Sequence, residues 1–183
     1  MAIASDMAIG NGMAIALPGD ILDDPRILWT DALLRFADMD AYGHVSNRAF
    51  PEIFESGRMA FITKHIESRV SADFFVAIAR LTIDFWNAFS FPEPARTGTW
   101  VSRVGRSSVT LDQVIMGRNG VVGTASGVCV LVERASRRSA AMPDHLRRAL
   151  IEACAGNHVE RIAADIARSK NRAAEPAVAT PSP

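Results

Sequence analysis

Between Arg35 and Asn47 the chain runs Arg-Phe-Ala-Asp-Met-Asp-Ala-Tyr-Gly-His-Val-Ser-Asn. Two carboxylates, Asp38 and Asp40, are followed closely by Gly43, His44 and Asn47. An apolar run precedes them and an amphipathic segment follows, which places them on a loop that delivers the chain to a helix. A helix N-terminus presents N–H groups without partners and the positive end of the macrodipole. Such an end suits a developing oxyanion. A carboxylate held beside it can act as nucleophile or as general base on water. The chemistry of the set is therefore acyl transfer to water, with Asp40 as the working carboxylate. Gly43 lets the backbone turn with positive φ and approach a ligand closely. Taken singly, each residue has an ordinary reading: Asp, Gly and Asn form turns, and Asn47 is a good N-cap. The order of the set points to a site.

The flanking elements must hold that loop. Residues 27–37 suggest a strand, with Thr30, Ala32, Leu34 and Phe36 on one face at period two. Residues 48–65 suggest a helix, with Phe50, Ile53, Phe54, Gly57, Ala60 and Phe61 forming one apolar stripe. Glu52, Glu55 and Arg58 fall near its polar side, and Glu55 is spaced to pair with Arg58. Pro51 is tolerated only within the first helical turn. Residues 74–89 form a long extended run dominated by β-branched and aromatic residues, ended by Pro92 and Pro94. Strands are expected over 100–105, 107–116 and 121–133, with Asn119-Gly120 suited to a type I′ hairpin. Pro143 opens a helix to about residue 155, and a short helix covers 158–169. A strand, a long helix and a run of antiparallel strands give an α+β fold, a helix on an antiparallel sheet with one apolar face.

A chain of 183 residues, 49% hydrophobic, fits one domain with a sizeable core. Its 20 basic and 20 acidic residues balance, so no long-range field draws it to nucleic acid or an anionic membrane. No apolar run has transmembrane length, so membrane insertion is not expected. The start lacks a basic n-region, so no signal peptide is expected. Cys129 and Cys154 have no metal-ligand spacing, and Cys129 in a strand-like run is a small core residue. A reducing cytoplasm is the expected compartment. Residues 1–26 form a loose leader in which Met-Ala-Ile recurs at Met1, Met7 and Met13. Residues 27–155 form the domain, and 156–183 a C-terminal helix and a disordered tail.

Asp38-Met-Asp40-Ala-Tyr-Gly-His-Val-Ser-Asn47 resembles the D-x-D-x-x-G-H-V-N-N signature of hot-dog-fold acyl-CoA thioesterases, the 4-hydroxybenzoyl-CoA thioesterase group. Phe54-Glu-Ser-Gly-Arg58 is similar to that family's F-E-E-A-R. Arg103-Val-Gly-Arg-Ser-Ser-Val109 and Val130-Leu-Val-Glu-Arg134 extend the resemblance, which covers roughly residues 28–150. It implies the hot-dog fold, a sheet wrapped around a long central helix, and a homodimer or homotetramer with sites at the shared interface. It implies hydrolysis of an acyl-CoA to a carboxylate and free CoA, with no metal or redox cofactor.

The resemblance makes Asp40 the catalytic carboxylate, and the backbone N–H of Asn47 the group that polarises the thioester carbonyl. Asp38 is then structural, tethering the loop or pairing with Arg35. His44 either fixes the loop or joins the chemistry. Glu55 is a minor candidate, because other hot-dog branches use a helical Glu as base. Coenzyme A phosphates call for basic residues. Arg103, Arg106, Ser107 and Ser108 lie on the hairpin that the family sets beside the pantetheine arm, and Arg134, Arg137 and Arg138 form a second patch. Two departures are evident. Ser46 replaces an Asn, and Ser56-Gly57 replaces Glu-Ala. Gly57 costs about 1 kcal/mol of helix stability relative to Ala and offers room for an acyl chain. A hot-dog hydratase needs an Asn-Pro-containing motif that is not found. A non-catalytic acyl-CoA-binding module is the rival from another class: Asp40 argues against it and Pro51 keeps it open.

Overall fold

A computed structural model describes residues 16–174, with side chains to residue 169. The Met-Ala-Ile repeats and the expected disordered end at 175–183 lie outside the described residues. A one-turn helix α1 (Gly19–Leu22) precedes strand β1 (Leu28–Ala32). The long helix α2 (Ala49–His65) follows, then β2 (Phe74–Phe85), β3 (Ala95–Val104), β4 (Ser108–Gly117) and β5 (Gly120–Glu133). Helices α3 (Asp144–Glu152) and α4 (His158–Ala174) close the chain. The strands form one antiparallel sheet in the order β1-β3-β4-β5-β2.

Helix α2 lies in the hollow of that sheet. Phe50, Ile53, Phe54, Phe61 and Ile62 are buried there against Leu111, Ile115, Ala125 and Leu131. Pro51 falls in the first turn, where its missing N–H costs no helical bond. Gly57 does not open a pocket. A Cβ at that position would stand 2.8 Å from Thr97 Cγ2, so the glycine lets helix and sheet approach. Arg58 departs from the expected polar side: it is buried, hydrogen-bonded to Gln113, and forms no pair with the exposed Glu55.

The first strand is shorter than its period-two pattern suggested. It stops at Ala32, and residues 36–38 coil into a 3₁₀ turn. The Asp38 carboxylate accepts the Arg35 N–H at 2.8 Å, which bends the chain out of the strand. Phe36 consequently points outward, edge-on to Phe91, instead of joining Leu34 in the core. Strand β3 begins at Ala95, directly after the proline pair. The β4–β5 hairpin is not type I′. Among the described residues only Arg137 has positive φ besides glycines, so Asn119 stays right-handed and Gly120 alone swings over, at φ 106. That combination fits a type I turn relieved by a following glycine.

The sheet is apolar on both faces, not one. On strand β4 Leu111, Gln113 and Ile115 face α2, while Val114 packs under Ile162 and Ile166 of α4. Trp100, Val121, Leu17 and, from α1, Ile21 complete this outer layer, so two side chains of the stretch expected as a loose leader are buried, and residues 1–15 of that stretch lie outside the described residues. Cys129 is buried on the α2 side, and burial pushes its thiol up to about 11, which keeps it inert.

A polar clasp ties α1 and the turn after it to α4. Asp24 binds the Arg26 guanidinium at 2.8 Å and lies 3.5 Å from His158, while Arg161 reaches Asp20. The Arg26 guanidinium, foremost among several partners, holds the Asp24 carboxyl well down, at about 2. An aspartate in the unfolded chain titrates near 3.9. Asp24 therefore contributes its full stability above about pH 4 and loses it as the pH falls toward about 2. Thermal melts should fall more steeply from pH 5 to pH 2.5 in the native sequence than in Asp24→Asn. Parallel curves would contradict this assignment.

Candidate active site

The loop from Asp38 to Asn47 is pinned at several points. Asp38 is buried and clasps Arg35 at 2.7 Å, and that hydrogen bond, foremost, lowers its carboxyl below the usual aspartate range. Arg35 also reaches Glu52 on α2 at 2.9 Å. Ser46 N–H donates to the Asp38 carbonyl and Val45 N–H to the Phe89 carbonyl. The Ser90 hydroxyl donates to the Gly43 carbonyl at 2.9 Å. Gly43 has φ 80, the left-handed turn that its residue type permits. Asp38 is thus a structural clasp, and Ser46, the departure from the family pattern, keeps its backbone bonds.

Asp40 is exposed at the tip of this pinned loop. Its Oδ1 accepts N–H groups from Tyr42 at 2.8 Å and His44 at 3.2 Å, a turn of the Asx kind. Its Oδ2 has no partner among the described residues. Asn47 is not the N-cap. Arg48 holds that position, and the Ser46 hydroxyl accepts the Arg48 N–H at 3.4 Å. The Asn47 N–H is left without an acceptor among the described residues, at the positive end of α2.

Asp40, His44 and Asn47 line one cleft of about 290 Å³, walled by Phe50, Phe85 and Trp86. Phe50 and Phe85 meet edge-on, 4.9 Å between centroids, and both line the cleft. A second depression of about 240 Å³ lies on the other side of α2, between Arg35, Glu52 and β1, away from Asp40. The lining of the Asp40 cleft thus includes an acidic residue, the residue before the N-cap of α2, and aromatic side chains. The aromatic wall could be anticipated for Phe50, which lies on the α2 stripe. Phe85 and Trp86 carried no such signal, because they reach the cleft only through the β2–β5 pairing.

Arg103, Arg106, Ser107 and Ser108 are not brought to this cleft. Phe85 is level with Gly123, whereas Ser108 is level with Val130. The hairpin therefore lies roughly 20 Å along the sheet from Asp40 within one chain. Arg103 and Arg106 are exposed there. Arg134 and Arg137 lie over the Phe75 ring, at 5.2 Å and 5.8 Å, at the same end. Among the described residues no group of three or more His, Cys, Asp or Glu converges as a metal site.

A long helix cradled by a five-stranded antiparallel sheet, with the signature loop at its N-terminus, is the hot-dog architecture. The chain belongs to the thioesterase-like superfamily, whose model matches residues 34–150. Its fold is shared by a predicted thioesterase from Bacillus stearothermophilus, at TM-score 0.65 and 23% identity, over 71% of this chain and 98% of that one. A Thermus thermophilus thioesterase solved with coenzyme A and zinc matches at TM-score 0.60 and 23% identity, over 70% and 94%. A 1,4-dihydroxy-2-naphthoyl-CoA thioesterase from Synechocystis matches at TM-score 0.59 and 15% identity, over 69% and 96%. No curated protein matches the chain in sequence. No helix among the described residues is long and apolar enough to cross a membrane.

Proposed function

We propose that the protein is an acyl-CoA thioesterase that hydrolyses its substrate in the Asp40 cleft. The observation that supports this reading is that Asp40 and Asn47, whose N–H has no acceptor among the described residues, both line one cleft at the α2 N-terminus. The thioester oxygen accepts the Asn47 N–H, and the helix dipole stabilises the negative charge that develops on it. Asp40 Oδ2 then does one of two things. It attacks the carbonyl carbon to form an acyl anhydride that water cleaves, or it takes a proton from the attacking water. Either way the carbon–sulfur bond breaks, the CoA thiolate leaves and is protonated, and one water is consumed per carboxylate released. His44, on the cleft wall, orients water or the leaving group.

The coenzyme A that the Thermus thermophilus relative contains supports CoA as the carrier here. The phosphate-binding role of Arg103, Arg106, Ser107 and Ser108 requires a second subunit. Strand β2 is a 12-residue edge, bonded only to β5, with Ile78 and Phe85 exposed along it. Antiparallel pairing of two such edges swaps their ends. It sets the hairpin end of one subunit level with the Asp40 loop of the other, so a homodimer completes each site.

Two experiments test these statements. Thiol release from a panel of short, long and aromatic acyl-CoAs should reveal at least one good substrate. Tight binding without release would favour the non-catalytic module, for which the Asx-turn bonds of Asp40 are the best argument. Sedimentation at micromolar concentration should give a dimer or a multiple of it, and a monomer alone would remove the partner's hairpin from the site.

A further inference from the structure

Strand β5 carries a glycine in its interior at position 123, level with Phe85 of β2 on one side and Ile115 of β4 on the other. A glycine there weakens a strand, since it offers no side chain to pack. Backbone conformation does not call for it: the glycines with positive φ among the described residues are Gly43, Gly120 and Gly156. The neighbouring ring does. Ile115 faces α2, and Gly123, level with it, faces the same way. A Cβ at Gly123 would stand 2.9 Å from Phe50 Cε1, 3.1 Å from Phe50 Cδ1 and 3.3 Å from the Asp84 carbonyl oxygen. The space of the missing side chain is therefore the space that the Phe50 ring occupies.

That ring is held from other sides as well. Phe85 meets it edge-on at 4.9 Å and Phe89 at 5.6 Å, and Phe89 is itself buried in the same core cluster. The open space that the structure shows against Phe50 is the Asp40 cleft, which Phe50 lines. How far the ring sits back against β5 thus decides how much of that cleft is left free. A Cβ at position 123 would drive the ring forward by about 0.5–1 Å, the distance needed to restore ordinary carbon contacts.

Resting on the thioesterase reading, we propose that Gly123 determines acyl specificity through Phe50: it lets the ring sit back and so admits acyl groups that are broad next to the thioester carbonyl, branched or cyclic at the first carbon. A carbonyl held at Asn47 beside Asp40 has Phe50 among the apolar walls open to its first acyl carbons. Gly123 touches no substrate. It is a positioning residue, and Phe50 is the surface it positions.

The test compares kcat/KM for paired substrates of equal carbon number, isobutyryl-CoA with butyryl-CoA and cyclohexanecarbonyl-CoA with heptanoyl-CoA. The native protein should favour the broad member of at least one pair. Gly123→Ala should lower the broad-to-linear ratio by about tenfold, the worth of one methylene's room in an apolar pocket. Phe50→Leu should raise the ratio, and Gly123→Ala combined with Phe50→Leu should bring it back toward the native value. A merely structural glycine would lower both members of a pair alike. An unchanged ratio in Gly123→Ala overturns the proposal, as does a lowered ratio that Phe50→Leu fails to restore. Preference for the linear member of both pairs in the native protein overturns it without any variant. If Gly123→Ala does not fold, Phe50→Leu alone decides, and a ratio that fails to rise overturns the proposal. Absence of thiol release from every acyl-CoA overturns the underlying thioesterase reading, and this proposal with it.

Discussion

Asp40→Asn lowers the turnover number by about two to four orders of magnitude, the range that a positioned general base supplies. The loop survives the change. An asparagine oxygen still accepts the N–H groups of Tyr42 and His44 that Asp40 Oδ1 accepts. The variant therefore keeps its fold and its oligomeric state and loses only the free carboxylate oxygen. Asp38→Asn behaves in the opposite way. Asp38 is buried and carries the clasp to Arg35, so its loss lowers the melting temperature more than the turnover. His44→Ala falls between the two, because the ring lines the cleft while the loop bonds of His44 come from its backbone. Turnover at saturating acyl-CoA, with circular dichroism on the same samples, checks all three. An Asp40→Asn variant with near-native turnover would move the search to Glu55.

Gly57→Ala destabilises the protein by about 1–3 kcal/mol, the usual cost of overpacking a well-filled interior. Helix propensity alone argues for a gain of about 1 kcal/mol from the same change, so the sign decides between the two effects. The new Cβ would stand 2.8 Å from Thr97 Cγ2, 3.1 Å from Thr97 Cβ and 3.3 Å from Thr99 Oγ1. Neither threonine has room to retreat: both are buried in β3, and the Thr99 hydroxyl accepts the Gln113 amide. Urea denaturation measures the outcome. A midpoint equal to or above that of the native sequence would mean that α2 slides away from the sheet at little cost.

The loop and the helix were legible because their causes are local. Gly43 takes the positive φ that a glycine permits, and Pro51 sits in the one turn that tolerates it. The apolar stripe of α2 is set by residues three and four apart on one chain segment. Other features depend on partners distant in sequence. Arg58 has a charged side chain on a helical surface, and only Gln113, 55 residues away, draws it inward. The second apolar face of the sheet was hidden because its cover comes from both ends of the chain, Ile21 on one side and Ile162 and Ile166 on the other. The separation of Asp40 from Arg103 and Arg106 was hidden too. It follows from strand register, which the alternation of side chains does not reveal across two hairpins. The early end of β1 is a local matter, but it turns on a single hydrogen bond from Arg35 N–H to Asp38, which period-two alternation does not reveal.

The central claim is that this cleft cleaves a thioester with Asp40. The most direct measurement follows one acyl-CoA to completion with purified protein, counting free thiol by a chromogenic reagent and carboxylate by mass spectrometry. It is run in parallel with Asp40→Asn. The native protein should release one carboxylate for each thiol over many turnovers, and the variant should release both at least a hundredfold more slowly. Equal rates in the two proteins, or acyl-CoA bound and recovered intact, would contradict the account.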